Sequence, residues 1–170
     1  KTRDEKVAAA AKAIIDPIHQ AYGEKIAVSK VTLNGAKAPD GNRDSETNLG
    51  DLCADAYRIL LGADIAFVNG GGVRDNIKVG DITYGDIIKV HPFGNEACLV
   101  EVTGQQIKDA LELGSAAYPG ESGGFLQVSG LTYTINADIP SSVVKNDKSE
   151  FVKVDGAYRV SDIMVGGQPL

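Results

Sequence analysis

Three consecutive glycines, Gly70, Gly71 and Gly72, stand between Asn69 and the pair Val73 and Arg74. No helix or strand passes through such a triplet without a large loss of backbone entropy, so the chain must turn there or let another group come close. The residues before it, DIAFV at 64–68, have the continuous apolar character of a buried strand. The glycines therefore lie just past a strand end, the place where open α/β sheets bind ligands. They do not form a P-loop, because no Gly-Lys-Ser/Thr follows, and Asp75 stands where a dinucleotide fingerprint needs its third glycine. A plain turn accounts for the triplet as well as a binding loop does.

Around this break the patterns alternate between helical and strand periods. Val7, Ala10, Ala11, Ile14 and Ile18 recur at helical spacing, with Pro17 expected to bend or end the element. KIAVSKVTL (25–33) alternates as a strand, and APDGNRDSE (38–46) is a polar loop from which Arg43 projects. Leu49, Leu52, Cys53, Ala56, Ile59 and Leu60 mark a second amphipathic helix that Thr47 or Asn48 can cap. After the glycines come DIT, YGDIIKV, a turn HPFGN (91–95) and a strand EACLVEV (96–102). A helix over 104–116 opens on the capping box of Thr103 and Gln106. YPGESGG is a further loop, FLQVSGLTYTIN (125–136) reads as one long strand, and short strands such as YRVSDIMV complete the chain. Helices and strands mixed in this way predict an α+β fold, a mixed sheet with helices packed on it.

Composition excludes several function classes. The 170 residues are enough for one domain, and 43% hydrophobic residues suffice for a packed core. A net charge of −6 with dispersed lysines and arginines argues against nucleic acid as the partner, so a bound anion must be met locally. No apolar stretch reaches the about 18 residues that a membrane span requires, so no membrane insertion is expected from this segment. Lys1 is not a natural start, which suggests a fragment or a processed chain. His19 and His91 are far apart and no HExxH or CxxC spacing occurs, so no metal or other cofactor is expected within this chain. Cys53 and Cys98 read as buried free thiols, on a helix face and in a strand respectively. Ser45, Ser122 and Ser129 lack a nucleophile elbow and an evident histidine base. Phe93 is the odd residue, because an aromatic in a Pro-Phe-Gly-Asn turn cannot easily bury itself beneath that turn; it either caps the core or offers a face to a planar ligand.

Five segments in order, SETNLGDLCADA (45–56), NGGGVRDNI (69–77), HPFGN (91–95), VTGQQIKDALE (102–112) and GGFLQVSGL (123–131), resemble the C-terminal domain of the 5'-nucleotidases. That family includes UDP-sugar hydrolases and 2',3'-cyclic nucleotide phosphodiesterases. The resemblance implies a linker helix over 1–23 and a nucleoside-binding domain over 24–170 that is incomplete at its C-terminal end. It implies that the chain is the substrate-recognition part of a phosphoester hydrolase, inactive alone, whose separate N-terminal metallophosphoesterase domain holds two divalent metal ions such as zinc or manganese. The substrate would be a nucleoside or nucleotide, and the parent protein would be periplasmic, extracellular or on the cell surface.

Carried over by position, the resemblance places the base against Phe93, with Asn95 beside it and Asn69 at the base or sugar. Arg74 would reach the ribose or phosphate, Gly71 and Gly72 would let the backbone approach, and Gly123 would lie beside the nucleoside. The family often has two arginines ahead of the ETNLG stretch; Arg43 fits the first and Ser45 occupies the second. A second stacking aromatic and a ribose-binding aspartate, which the family carries beyond the strand resembling VSDIMV, have no counterpart in this sequence. Two other readings are a stand-alone nucleoside- or phosphate-binding module without catalysis, and a structural domain with a glycine turn.

Overall fold

The computed structural model describes residues 4–35 and 41–170, so the start of the expected linker helix and positions 38–40 of the expected polar loop lie outside the described residues. Helix α1, Glu5–Tyr22, begins where the Asp4 carboxylate accepts from the backbone N–H of Lys6 at 2.9 Å and Val7 at 3.2 Å. Pro17 is accommodated inside this helix without ending it, and α1 buries none of its residues. Strand β1 covers only Lys25–Ser29, shorter than the expected 25–33, because the Ser29 hydroxyl bonds the backbone of Val31 and bends the chain. Pairing resumes at an isolated bridge between Leu33 and Ile77.

Helix α2, Asn48–Leu61, is capped by the Thr47 hydroxyl, which accepts from the Gly50 N–H at 3.0 Å, and it stops at the left-handed Gly62. Its inner face is Leu49, Gly50, Cys53 and Ala54; Leu52, Ile59 and Leu60, counted on the apolar stripe by spacing, stay exposed. Strand β2, Ala66–Asn69, leads into the glycines. Strand β3, Gly80–Thr83, precedes α3, Tyr84–Val90, and α4, Gly104–Gly114, starts at the predicted capping box with both reciprocal bonds made.

The expected long strand over 125–136 is two strands, β4 at Leu126–Ser129 and β5 at Leu131–Ile135. Gly130 divides them with φ +80°, and a Cβ there would lie 2.1 Å from the Asp64 carbonyl oxygen, so the chain swings away at this contact. Strands β6 (Val143–Lys145), β7 (Phe151–Val154), β8 (Val160–Val165) and β9 (Gln168–Pro169) follow. All pairings are antiparallel: β1 with β3, β2 with β4, β6 with β7, and β5, β8, β9 in one three-stranded sheet. The class is α+β as expected, but among the described residues the strands form four small antiparallel sheets in place of the expected mixed sheet.

The expected strand over 96–102 is not formed. Leu99, Val100 and Val102 are exposed, and Cys98 is exposed rather than buried. A ladder needs a partner edge roughly 4.8 Å away, and here a groove of about 1020 Å³ separates this segment from β2.

Among the described residues, two apolar clusters hold the fold. In one, Leu49, Cys53 and Ala54 of α2 pack with Val68 of β2 and with Val73, Ile77, Ile82 and Val90. In the other, Ile107 and Leu111 of α4 pack with Leu131, Val160 and Ile163. Buried Glu112 on α4 accepts from the backbone N–H of Arg159 and Val160, while the Arg159 guanidinium donates to the carbonyls of Ser115, Tyr118 and Ile139. The Arg159 guanidinium thus enters the interior fully engaged, whereas only Oε2 of Glu112 is bonded and its Oε1 has no partner among the described residues.

Candidate functional site

The glycine triplet forms a single 3-10 turn, Gly70–Gly72, at the end of β2. None of the three has a positive φ, so the reason for glycine is space. A Cβ on Gly70 would lie 1.8 Å from the Asn42 carbonyl oxygen, and one on Gly71 would lie 2.9 Å from the Gly123 Cα. The turn is stitched to the loop before β4 by Gly70 N–H to Phe125 O at 2.7 Å, Gly71 N–H to Gly123 O at 2.9 Å and the Asn69 side-chain amide to Gly123 O at 3.2 Å. Arg43 joins from the other side, its carbonyl accepting the Ser122 N–H at 2.8 Å.

Beyond the turn, the Arg74 N–H donates to Val90 O at 2.9 Å, which fixes the glycine loop to the end of α3. The Arg74 guanidinium donates to Gly71 O at 3.3 Å and lies 5.8 Å from the centre of the Phe93 ring. That separation is within the range of cation–π attraction. Phe93 is 59% exposed, so it does not cap the core. Gly94 takes φ +62° with open space around it, turning the chain toward Asn95. Asn69, Gly72 and Asn95 line the groove beside β2, whereas Arg43, Gly71, Arg74, Phe93 and Gly123 are not among its lining residues. The sequence-derived residues therefore divide between this groove and four loops, those of Arg43, of the glycine turn with Arg74, of Phe93 and of Gly123.

The spacing of residues gave no hint of what supports these loops. His91 Nε2 lies 3.2 Å from Cys53 Sγ, and the ring also bonds the backbone of Gly72, so one side chain ties α2 to the glycine turn. Burial holds the His91 pKa below its ordinary value, with the Gly72 bond acting the other way, and burial pushes the Cys53 thiol up to about 11. At neutral pH the pair is a neutral imidazole beside a thiol. Gln127 lies under the loop that carries Arg43, and Asn42 of that loop is buried against it, each 1% exposed. The signal for Gln127 was a polar residue between Phe125 and Ser129 on the inward side of β4, the register in which a core residue is expected. On α2, burial first and then the Glu46 and Asp55 carboxylates raise Asp51 to about 6. Among the described residues no group of three His, Cys, Asp or Glu side chains could hold a metal ion, and no helix is long and apolar enough to cross a membrane.

The arrangement is a set of loops that present one exposed aromatic face, one adjacent guanidinium, amide side chains and backbone edges. It is suited to binding a planar, anionic ligand. The model of the 5'-nucleotidase C-terminal domain family matches residues 25–170, and the chain belongs to that family. A 5'-nucleotidase of Vibrio parahaemolyticus serotype O3:K6 is 41% identical over 135 residues, covering 79% of this chain and 23% of that protein. The trifunctional nucleotide phosphoesterase protein YfkN of Bacillus subtilis is 37% identical over 150 residues, covering 81% of this chain and 10% of that protein. In three dimensions the chain is similar to the 5'-nucleotidase precursor from Thermus thermophilus, with a TM-score of 0.69 and 34% identity over 92% of this chain and 32% of that one. The chain thus spans a third or less of the length of each of these proteins.

Proposed function

We propose that this chain is the nucleoside-recognition domain of a nucleotide-hydrolysing phosphoesterase of the 5'-nucleotidase type. The observation that carries the proposal is the pairing of the exposed Phe93 ring with the Arg74 guanidinium at 5.8 Å, beside a glycine turn. An aromatic face grips any base by stacking, worth about 1 to 3 kcal/mol. A guanidinium meets ribose hydroxyls or a phosphate with a planar fork of donors. In this reading the base stacks on Phe93, Asn95 and Asn69 contact the base or sugar, and Gly71, Gly72 and Gly123 supply the close backbone wall. Arg74 reaches the ribose or phosphate, and Arg43 meets the phosphate from the facing loop.

Residues 1–23, which include α1, act as a linker and 24–170 as the binding domain. The chemical step belongs to a separate N-terminal domain of the same polypeptide, where two divalent ions activate water and clamp the phosphate oxygens. A periplasmic, extracellular or cell-surface address suits such an enzyme. Two experiments test the proposal. Protein-observed NMR with adenosine and AMP should shift the signals of Asn69, Arg74, Phe93 and Asn95 together; shifts scattered elsewhere would refute the site. Sequencing of the parent reading frame should reveal an upstream metallophosphoesterase domain, and its absence would favour a stand-alone binding module.

A further inference from the structure

Arg43 sits in a loop, and a side chain reaches a ligand reproducibly only when its backbone is held. The loop's own bonds close a tight turn: Asp44 and Ser45 N–H donate to Gly41 O at 3.2 and 2.9 Å, and Gly41 N–H donates to Asp44 Oδ1 at 3.0 Å. These contacts shape the turn without fixing it to the rest of the molecule. Gln127 does that. Its Nε2 donates to Asn42 O at 3.1 Å and to Ser45 O at 2.7 Å, the carbonyls on either side of Arg43, and its Oε1 accepts the Thr47 N–H at 3.1 Å. Two carbonyls facing one end of the amide and an N–H facing the other admit a single orientation of the side chain. Gln127 also pairs with Val68 in the β2–β4 ladder, one residue before Asn69 and the glycine turn.

The neighbouring glycines fit the same junction. A Cβ on Gly50 would lie 2.1 Å from Gln127 Oε1, and one on Gly70 would lie 1.8 Å from the Asn42 carbonyl oxygen that Gln127 binds. Three separate sequence segments, around Gly50, Gly70 and Gln127, therefore converge on one buried amide. We propose that Gln127 is a positioning residue: it places Arg43 relative to the glycine turn and so sets the preference for a phosphorylated over an unphosphorylated nucleoside. This inference rests on the reading of Arg43 as a phosphate contact.

The test compares AMP with adenosine, by NMR titration of the chain and its variants. Arg43→Ala should weaken AMP by about tenfold or more, the worth of a bond to a charged group, and leave adenosine unchanged. Gln127→Met keeps the length and removes all three bonds; it should weaken AMP to a similar degree, change adenosine less than about twofold, and add nothing when combined with Arg43→Ala. Equal losses for AMP and adenosine in Gln127→Met, or an AMP affinity untouched by it while Arg43→Ala weakens AMP, would overturn the positioning role alone. An AMP affinity untouched by Arg43→Ala would overturn the phosphate contact as well. Where Gln127→Met does not fold, Gln127→Glu keeps the acceptor for Thr47 N–H and should give the same selective loss. A measurement on the unaltered chain needs neither variant: the Gln127 side-chain amide signals should shift with AMP and not with adenosine, and their indifference to AMP would overturn the proposal.

Discussion

Phe93 and Arg74 are exposed side chains on loops, so the fold does not depend on either of them. Phe93→Ala and Arg74→Ala should each change unfolding stability by about 0.5 kcal/mol or less, as surface substitutions do, while lowering nucleotide affinity. Their effects on ligands should differ: loss of the ring weakens different bases alike, and loss of the guanidinium weakens the ribose and phosphate part whatever the base. Melting curves paired with titrations decide this, and a loss of about 3 kcal/mol or more for Phe93→Ala would mark a buried core aromatic instead. Asp51 and His91 shape the response to pH in opposite senses. His91 is held below its ordinary 6.5, so the unfolded chain takes up that proton first; the stability it contributes is full above about 6.5 and fades as pH falls toward its folded value. Asp51 is raised from 3.8 to about 6, so its contribution is present below 3.8 and is lost as pH rises through about 6. Asp51→Asn should therefore raise the melting temperature at pH 7.5, with the gain shrinking toward zero near pH 4. An equal gain at both pH values would contradict the burial and carboxylate crowding described for this residue.

At the scale of elements, the caps, which have local causes, were legible in the sequence; the local Ser29–Val31 bond that ends β1 early was not, nor were features with distant causes. The Thr47 cap of α2 and the Thr103–Gln106 box of α4 need only residues within three positions of each other, and both formed as the spacing predicts. The break at Gly130 depends on the carbonyl of Asp64, and the failure of 96–102 to form a strand depends on the groove beside β2; neither partner is adjacent in sequence. Exposure of Leu52, Ile59 and Leu60 has the same origin, since helical spacing gives a stripe without saying how much of it a neighbour covers. In the site, motif resemblance named Phe93 and Arg74, which the fold brings together. It was silent on Gln127, whose partner Asn42 is 85 positions away, and on the His91–Cys53 tether. The glycines were read as room for a ligand, yet Gly70 and Gly71 first make room for Asn42 and Gly123 of the same chain. Gly70→Ala should accordingly cost roughly 1 to 3 kcal/mol by denaturant unfolding, the usual scale of overpacking, without any ligand present. A cost under about 0.5 kcal/mol would mean that the loop of Asn42 yields freely.

Taken as a whole, the molecule has a net charge of −6, no metal-holding group among its described residues, and a third or less of the length of the 5'-nucleotidases and phosphoesterase it matches. A chain of this make-up should release no phosphate from AMP when divalent ions are added, and metal-dependent turnover by the pure protein would overturn the division of labour proposed above. Its affinity follows from the same accounting. Phe93 offers a single stacking face worth about 1 to 3 kcal/mol, and Arg74 adds one charge-assisted contact on an exposed loop. Against these stands an association cost of about 4 kcal/mol or more in lost translational and rotational freedom. The contacts barely offset that cost, so adenosine should bind weakly, with a dissociation constant of about 1 mM or higher. AMP should bind more tightly than adenosine through Arg74 and Arg43, and the gap should narrow as salt is raised, because exposed charges are screened over roughly 10 Å at 0.1 M. Calorimetry or NMR titration at two salt concentrations measures both quantities. Submicromolar adenosine binding would show that a second set of contacts grips the base, and a salt-independent preference for AMP would place its phosphate in a buried pocket instead of between two loop arginines.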